Sequence, residues 1–163
     1  MKYYIYLNVP QYVKEWAEHS FDFDGVGIRV NKSFALSGFI YSHLSIRKDW
    51  YPKEECGNLA VQIHNLSDNH QKSSWNYMSV RDRKRLAHMF HQVMFSEYWF
   101  FMLPHWRAIS GGKKTHGTTM QGFTLQWFEQ KKITCNENAI LRFNKDFYRE
   151  KQRVLDNYNV IFN

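Results

Sequence analysis

The sequence predicts an α+β fold: a small sheet packed on a long central helix, with a C-terminal helical pair of helix-turn-helix type. Three observations carry this. Leu86, Met89, Phe90, Val93, Met94, Tyr98 and Phe101 recur every three or four residues within Ser79–Leu103, which makes one face of a long helix apolar. Short runs rich in Tyr, Ile and Val lie ahead of that helix, and such runs suit strands. Two further periodic stretches follow it, joined by a short connection. Strands alternating with helices and then helices alone is the order of an α+β domain.

Each element has its own local reason. KYYIYLNV (Lys2–Val9) reads as the first strand, closed by Pro10. Gln11–His19 puts Tyr12, Val13 and Trp16 on one face of a short helix. FDFDG (Phe21–Gly25) reads as a turn, and VGIRV (Val26–Val30) as a second strand. Asn31 is placed to cap a helix to about Ile46, with Phe34, Leu36, Ile40, Tyr41 and Leu44 as its apolar side. Asp49–Gly57 reads as a polar loop, LAVQI (Leu59–Ile63) as a third strand, and SDNHQKSS (Ser67–Ser74) as a surface loop. Ser79 and Asp82 mark the start of the central helix, and Pro104 is expected to end it. SGGKKTHGTT (Ser110–Thr119) has the composition of a linker. A helix over Thr119–Lys132 and another over Cys135–Asp156 complete the chain, with Asn159–Phe162 as a tail. Thr134 and Glu137 match a capping box at the start of the last helix. The whole reads as one domain over 1–163, with an α+β core to 109, a linker at 110–119 and the helical pair from 120.

The totals narrow the function classes. An aromatic content of 18% argues against disorder, and a net charge of +7 favours anionic partners. Cys56 and Cys135 lack metal-type spacing and read as reduced core residues of a cytoplasmic protein. No secretion signal or membrane span is expected, since the most apolar run, YWFFML at 98–103, is too short and suits core burial. No membrane partner is therefore expected.

The candidate binding surface is basic. Arg142, Lys145, Arg149 and Arg153 are spaced by three, four and four, so they share one side of the last helix, with Asn138 one turn earlier. Ile140, Phe143, Phe147 and Val154 fall on another side, with Leu141, Tyr148 and Leu155 beside it. The second helix of a helix-turn-helix lies in the major groove, where arginine meets guanine or phosphate and asparagine meets adenine. Asp146 and Glu150 dilute that charge. Arg81, Arg83, Lys84 and Arg85 oppose the dipole of the central helix at its N-terminus, a conflict that an anionic partner relieves. Lys113 and Lys114 add charge in the linker, but GGKKTHGTT lacks the phosphate-loop pattern. His88 and His91 stand three apart, without a third metal ligand marked by spacing. No nucleophile, acid–base pair or cofactor motif is marked, so a non-enzymatic role with no metal or cofactor is expected; the enzymatic alternative is a metal-dependent nuclease in which His88 and His91 share a metal with a third ligand from elsewhere.

YYIYLNVPQYVKEW, NLAVQI, WNYMSVRDRKRLAHMFHQVMFSEYW and LQWFEQKKITCNENAILRFNKDFYREKQR, in that order, resemble small proteins from mobile elements and prophages of Bacteroidota. The resemblance is one of layout over most of the chain. It implies cytoplasmic work on or near DNA and assigns no catalytic residue. The expected function is that of a nucleic-acid-binding accessory or regulatory protein, with DNA preferred to RNA. The alternative is a protein-interaction module, an inhibitor or assembly subunit using an aromatic-rich surface; a homo-oligomer is compatible with both.

Overall fold

The structure is a computed structural model that describes residues 3–47, 57–63, 75–111 and 119–162, with side chains described as far as Asp156. The fold is α+β. It divides into two compact units, residues 1–94 and 95–163, and the boundary falls inside the central helix.

In the first unit, β1 (Tyr3–Leu7), β5 (Leu59–Ile63), β3 (Ile28–Arg29) and β2 (Asp22–Phe23) form a sheet in the order β1-β5-β3-β2. β1 runs antiparallel to β5 with Tyr3 opposite Ile63 and Leu7 opposite Leu59, and β3 runs parallel to β5. Alternation then sends Ile5, Leu7, Leu59, Val61 and Ile63 to the buried face. α1 (Gln11–Ser20) adds Val13, Trp16 and Ala17 to this core, and α2 (Phe34–His43) adds Leu36 and Ile40.

Two close approaches hold the sheet in register. Asn58 donates its backbone N–H to the Leu7 carbonyl at 2.9 Å. Its side-chain amide both accepts from the Val9 N–H (2.9 Å) and donates to the Val9 carbonyl (2.8 Å). Gly57 lies so near Leu7 that an added Cβ would sit 2.3 Å from its carbonyl carbon and oxygen. The FDFDG turn is a hairpin between β2 and β3. Gly25 takes φ +90°, and Asp24 Oδ1 accepts from the N–H groups of Val26 and Gly27 at 3.0 and 2.9 Å.

Several boundaries differ from those expected. Ser33, not Asn31, caps α2, its hydroxyl accepting from the Leu36 N–H at 3.4 Å. α2 stops at His43 because β4 (Ser45–Arg47) follows and pairs with β6 (Trp75–Tyr77), a ribbon too short to carry a sequence signal. Phe34, expected on the apolar side of α2, is 92% exposed in its first turn.

The central helix α3 (Val80–Ser110) starts as expected, with the Ser79 hydroxyl accepting from the Asp82 N–H (3.1 Å) and donating to its carboxylate (2.6 Å). It does not end at Pro104. A proline inside a helix orphans the carbonyl four residues earlier. Here that carbonyl belongs to Phe100, and both Phe100 and Pro104 are exposed, so water can satisfy the freed group. Of the apolar run 98–103, Tyr98 and Met102 are buried and Phe100 stands in solvent.

The second unit joins the later part of α3 to α4 (Met120–Gln130) and α5 (Glu137–Phe162). Its core is aromatic and centred on Tyr98 and Phe143. Their rings meet edge-on at 5.0 Å; Trp127 lies 5.2 Å from Tyr98, and Phe128 lies 5.2 Å from Phe143. The Tyr98 hydroxyl bonds the buried Thr124 hydroxyl at 2.9 Å, and Thr124 donates to the Met120 carbonyl or to Asn144. Burial pushes the Tyr98 phenol far up, so it stays a neutral donor.

Candidate nucleic-acid interface

α5 is positioned by the turn before it. α4 closes with its Lys132 N–H bonded to the Glu129 carbonyl (3.2 Å) and its Ile133 N–H bonded to the Phe128 carbonyl (2.9 Å). Lys132 takes φ +56°. Those two bonds and one left-handed residue make a Schellman motif, with lysine where glycine is usual. The apolar partner that follows such a motif is Ile133, which is buried. Asn136 then caps α5: its side chain accepts from the Asn138 N–H at 2.9 Å, and its carbonyl accepts from the Ile140 N–H at 3.0 Å. The connection therefore runs over 131–136, and the cap lies two residues beyond the expected Thr134. The helix also continues through the expected tail to Phe162.

Phe143 and Phe147 anchor α5 in the aromatic core, and this aims the opposite side outward. Asn138, Arg142, Lys145, Arg149 and Arg153 are all exposed there. From Arg142 to Arg153 the row spans about 16 Å. Three of its members pair within the helix. Arg149 lies 3.2 Å and Arg142 3.9 Å from the Asp146 carboxylate, and Arg153 bonds Glu150, which raises its pKa further. Lys145 makes no ion pair among the described residues. The three guanidinium side chains are 62–69% exposed, and exposed pairs of this kind contribute only about 0–1 kcal/mol. A phosphate can therefore displace them at low cost.

The other predicted cations divide. Arg81, Lys84 and Arg85 are exposed on the first turns of α3, in the first unit. Arg85 is held by Asp82 at 3.7 Å and lies 5.6 Å over the Phe39 ring. Arg83 turns to another side of the helix and is half-buried, because consecutive helical residues diverge by a quarter turn or more. Lys113 and Lys114 lie outside the described residues.

His88 and His91 stack at 6.5 Å, and no set of three metal-ligating side chains occurs among the described residues. Cys135 is exposed, not a core residue, because it falls in the turn between α4 and α5; Cys56 lies outside the described residues. A shallow cleft of about 120 Å³ in the first unit is lined by Arg29, Asn31, Tyr41, Gln62 and Ile63. The Arg29 guanidinium in it donates to the Gln62 side-chain oxygen at 2.6 Å. Among the described residues, Trp16, Phe90, Tyr98, Phe123, Trp127, Phe128, Phe143 and Phe147 are interior, while Phe23, Phe34, Tyr41, Phe100 and Tyr148 are exposed. What the periodicity alone does not reveal is that Leu141, Tyr148 and Leu155 stand in solvent beside the basic row; their spacing of seven is the signal that marks them.

No family model, characterised protein or solved structure matches the chain. No described helix is long and apolar enough to cross a membrane.

Proposed function

We propose that the protein is a non-enzymatic nucleic-acid-binding accessory factor that meets phosphates with the basic side of α5. The observation that supports this is the row Arg142, Lys145, Arg149 and Arg153, exposed over about 16 Å and tied only by weak pairs within its own helix. Asn138 lies at the start of the row, where its amide can meet a base edge. Arg81 and Lys84 add cationic surface in the other unit. Duplex DNA is the preferred ligand, and the layout shared with mobile-element and prophage proteins favours a cytoplasmic role in that setting.

Fluorescence anisotropy of the full chain with duplex DNA and with RNA, at several salt concentrations, tests the proposal. Four phosphates neutralised by the row give a log K against log salt slope of about −3.6 on duplex DNA. Arg149→Ala is expected to reduce the slope by about one, and Arg149→Glu to weaken binding further, both with an unchanged melting temperature. Absence of binding at low salt overturns the proposal. So does wild-type binding by Arg149→Glu, which would make the row an ordinary solvated face.

A further inference from the structure

The ring of Tyr148 is 44% exposed on α5 and lies between two sets of cations. Around the helix, Lys145 stands about 60° and Arg149 about 100° from it on one side, and Lys151 about 60° on the other. Lys151 sets its ammonium 5.3 Å from the Tyr148 ring and 4.5 Å from the ring of Trp106, a half-buried residue of α3. One ammonium reaches both rings, so α3 and α5 hold two neighbouring aromatics beside the basic row. The carboxylates do not intrude. Asp146 and Glu150 stand about 160° from Tyr148 around the helix. They are also held by Arg142, Arg149 and Arg153. Glu137 and Asp156 lie about 16 Å and 12 Å from it along the axis.

The cations select an anionic ligand, and the rings select one with flat apolar faces. A nucleotide strand is both. Within a duplex each base is stacked above and below and offers a groove only its edge. An unpaired base offers its whole face. Exposed aromatic rings flanked by cations that follow the phosphates are the means by which proteins hold unpaired nucleotides. Magnitudes decide the competition with Lys151. An ammonium on an exposed ring contributes about two- to fivefold in an equilibrium constant. A base stacked on an aromatic side chain contributes about five- to a hundredfold. A base can therefore displace the ammonium, which is then free to meet a phosphate.

We infer that Tyr148, with Trp106 beside it, stacks an unpaired base next to the basic row, so that the ligand is a duplex carrying a short single-stranded tail and not a blunt duplex. This deepens the proposed function and rests on its reading of the row as a phosphate track.

Three probes share one duplex: blunt, with a short thymine tail, and with an abasic tail of the same length, which keeps the phosphates and lacks the bases. Anisotropy with the full chain is expected to show the thymine-tailed probe bound at least about fivefold more tightly than the abasic one. Tyr148→Leu keeps apolar area without a ring. It is expected to remove that preference, with blunt-duplex affinity and melting temperature unchanged, whereas Tyr148→Phe is expected to retain it. The comparison of tails is made on the wild-type chain, so it decides the matter even should the leucine variant fold poorly. Equal affinity for thymine and abasic tails, or a preference that survives in Tyr148→Leu, overturns the inference, while binding of the blunt duplex leaves the proposed function standing. No binding of any probe at low salt overturns both. Tighter binding of the free thymine strand than of the tailed duplex makes the ligand wholly single-stranded and overturns the inference as stated. Tight binding to phosphatidylglycerol vesicles, with no preference between tails, makes a membrane surface the occupant and overturns it too.

Discussion

The two units solve the same problem of burial by different means. The first is held by backbone: a four-stranded sheet whose register is locked where Gly57 and Asn58 press against Leu7 and Val9. Its core is mainly aliphatic, with Trp16 and Phe90 as the large members. The second is held by side chains: aromatic rings around Tyr98 and Phe143, with one buried polar node at Thr124 and Asn144. A sheet tolerates many side chains but few changes in strand separation. An aromatic helical core tolerates backbone adjustment but not the loss of a ring.

The largest expected effect probes the second unit. Phe143→Ala removes a ring that meets Tyr98, Phe128, Trp127 and Phe95. It is expected to cost about 4 kcal/mol in urea denaturation. Hydrogen exchange should show the loss first in α4 and α5 amides. Equal loss in β1 and β5 would mean that the units unfold as one.

Gly57→Ala is the corresponding test of the first unit. No flexible side chain can yield there, because the atoms in the way are Leu7 backbone. The expected cost is on the order of 3 kcal/mol, with faster exchange in β1. A near-neutral result would break the contrast between the two units.

Lys132→Gly acts in the opposite direction. Lysine at φ +56° carries backbone strain that glycine lacks. The substitution is expected to raise stability by about 0.5 kcal/mol, the balance of relieved strain against added freedom in the unfolded chain. A fall in melting temperature would show that the left-handed turn is not strained.

The smallest effect is a pH dependence confined to the second unit. His105 stacks on Phe123 at 3.9 Å, and burial lowers its pKa. As pH falls below about 6.5 the unfolded chain takes up the proton before the folded chain does, so stability is lost until the lowered folded pKa is passed. His105→Gln is expected to flatten the melting temperature between neutral pH and about pH 5. An unchanged slope would assign the dependence to another group.

Much of the helical half was legible because its signals are local. The apolar ladder of α3, the Ser79 and Asp82 cap and the basic row of α5 all follow from spacing. The sheet half was legible only in part. The β4–β6 ribbon joins two three-residue segments far apart in sequence, and neither has a period long enough to read. The continuation of α3 past Pro104 depends on which face of the helix meets water, and periodicity cannot weigh that against a proline. At the candidate site, the sequence located the cations of α5, but it did not separate exposed Arg81, Lys84 and Arg85 from half-buried Arg83.

By itself the sequence determined the fold class, the long central helix, the terminal helical pair and the side of α5 on which its cations lie. These follow from residue type and period, which need no knowledge of distant contacts. Only the tertiary structure decided the sheet order, the close approach of Gly57 to Leu7 and the placement of Cys135 in solvent. It also decided that Leu141, Tyr148 and Leu155 stand uncovered while Phe143 and Phe147 are buried. Both sets are apolar and both repeat along one helix. Which of them is core depends on where α3 and α4 place their own rings, and no local pattern in α5 contains that information.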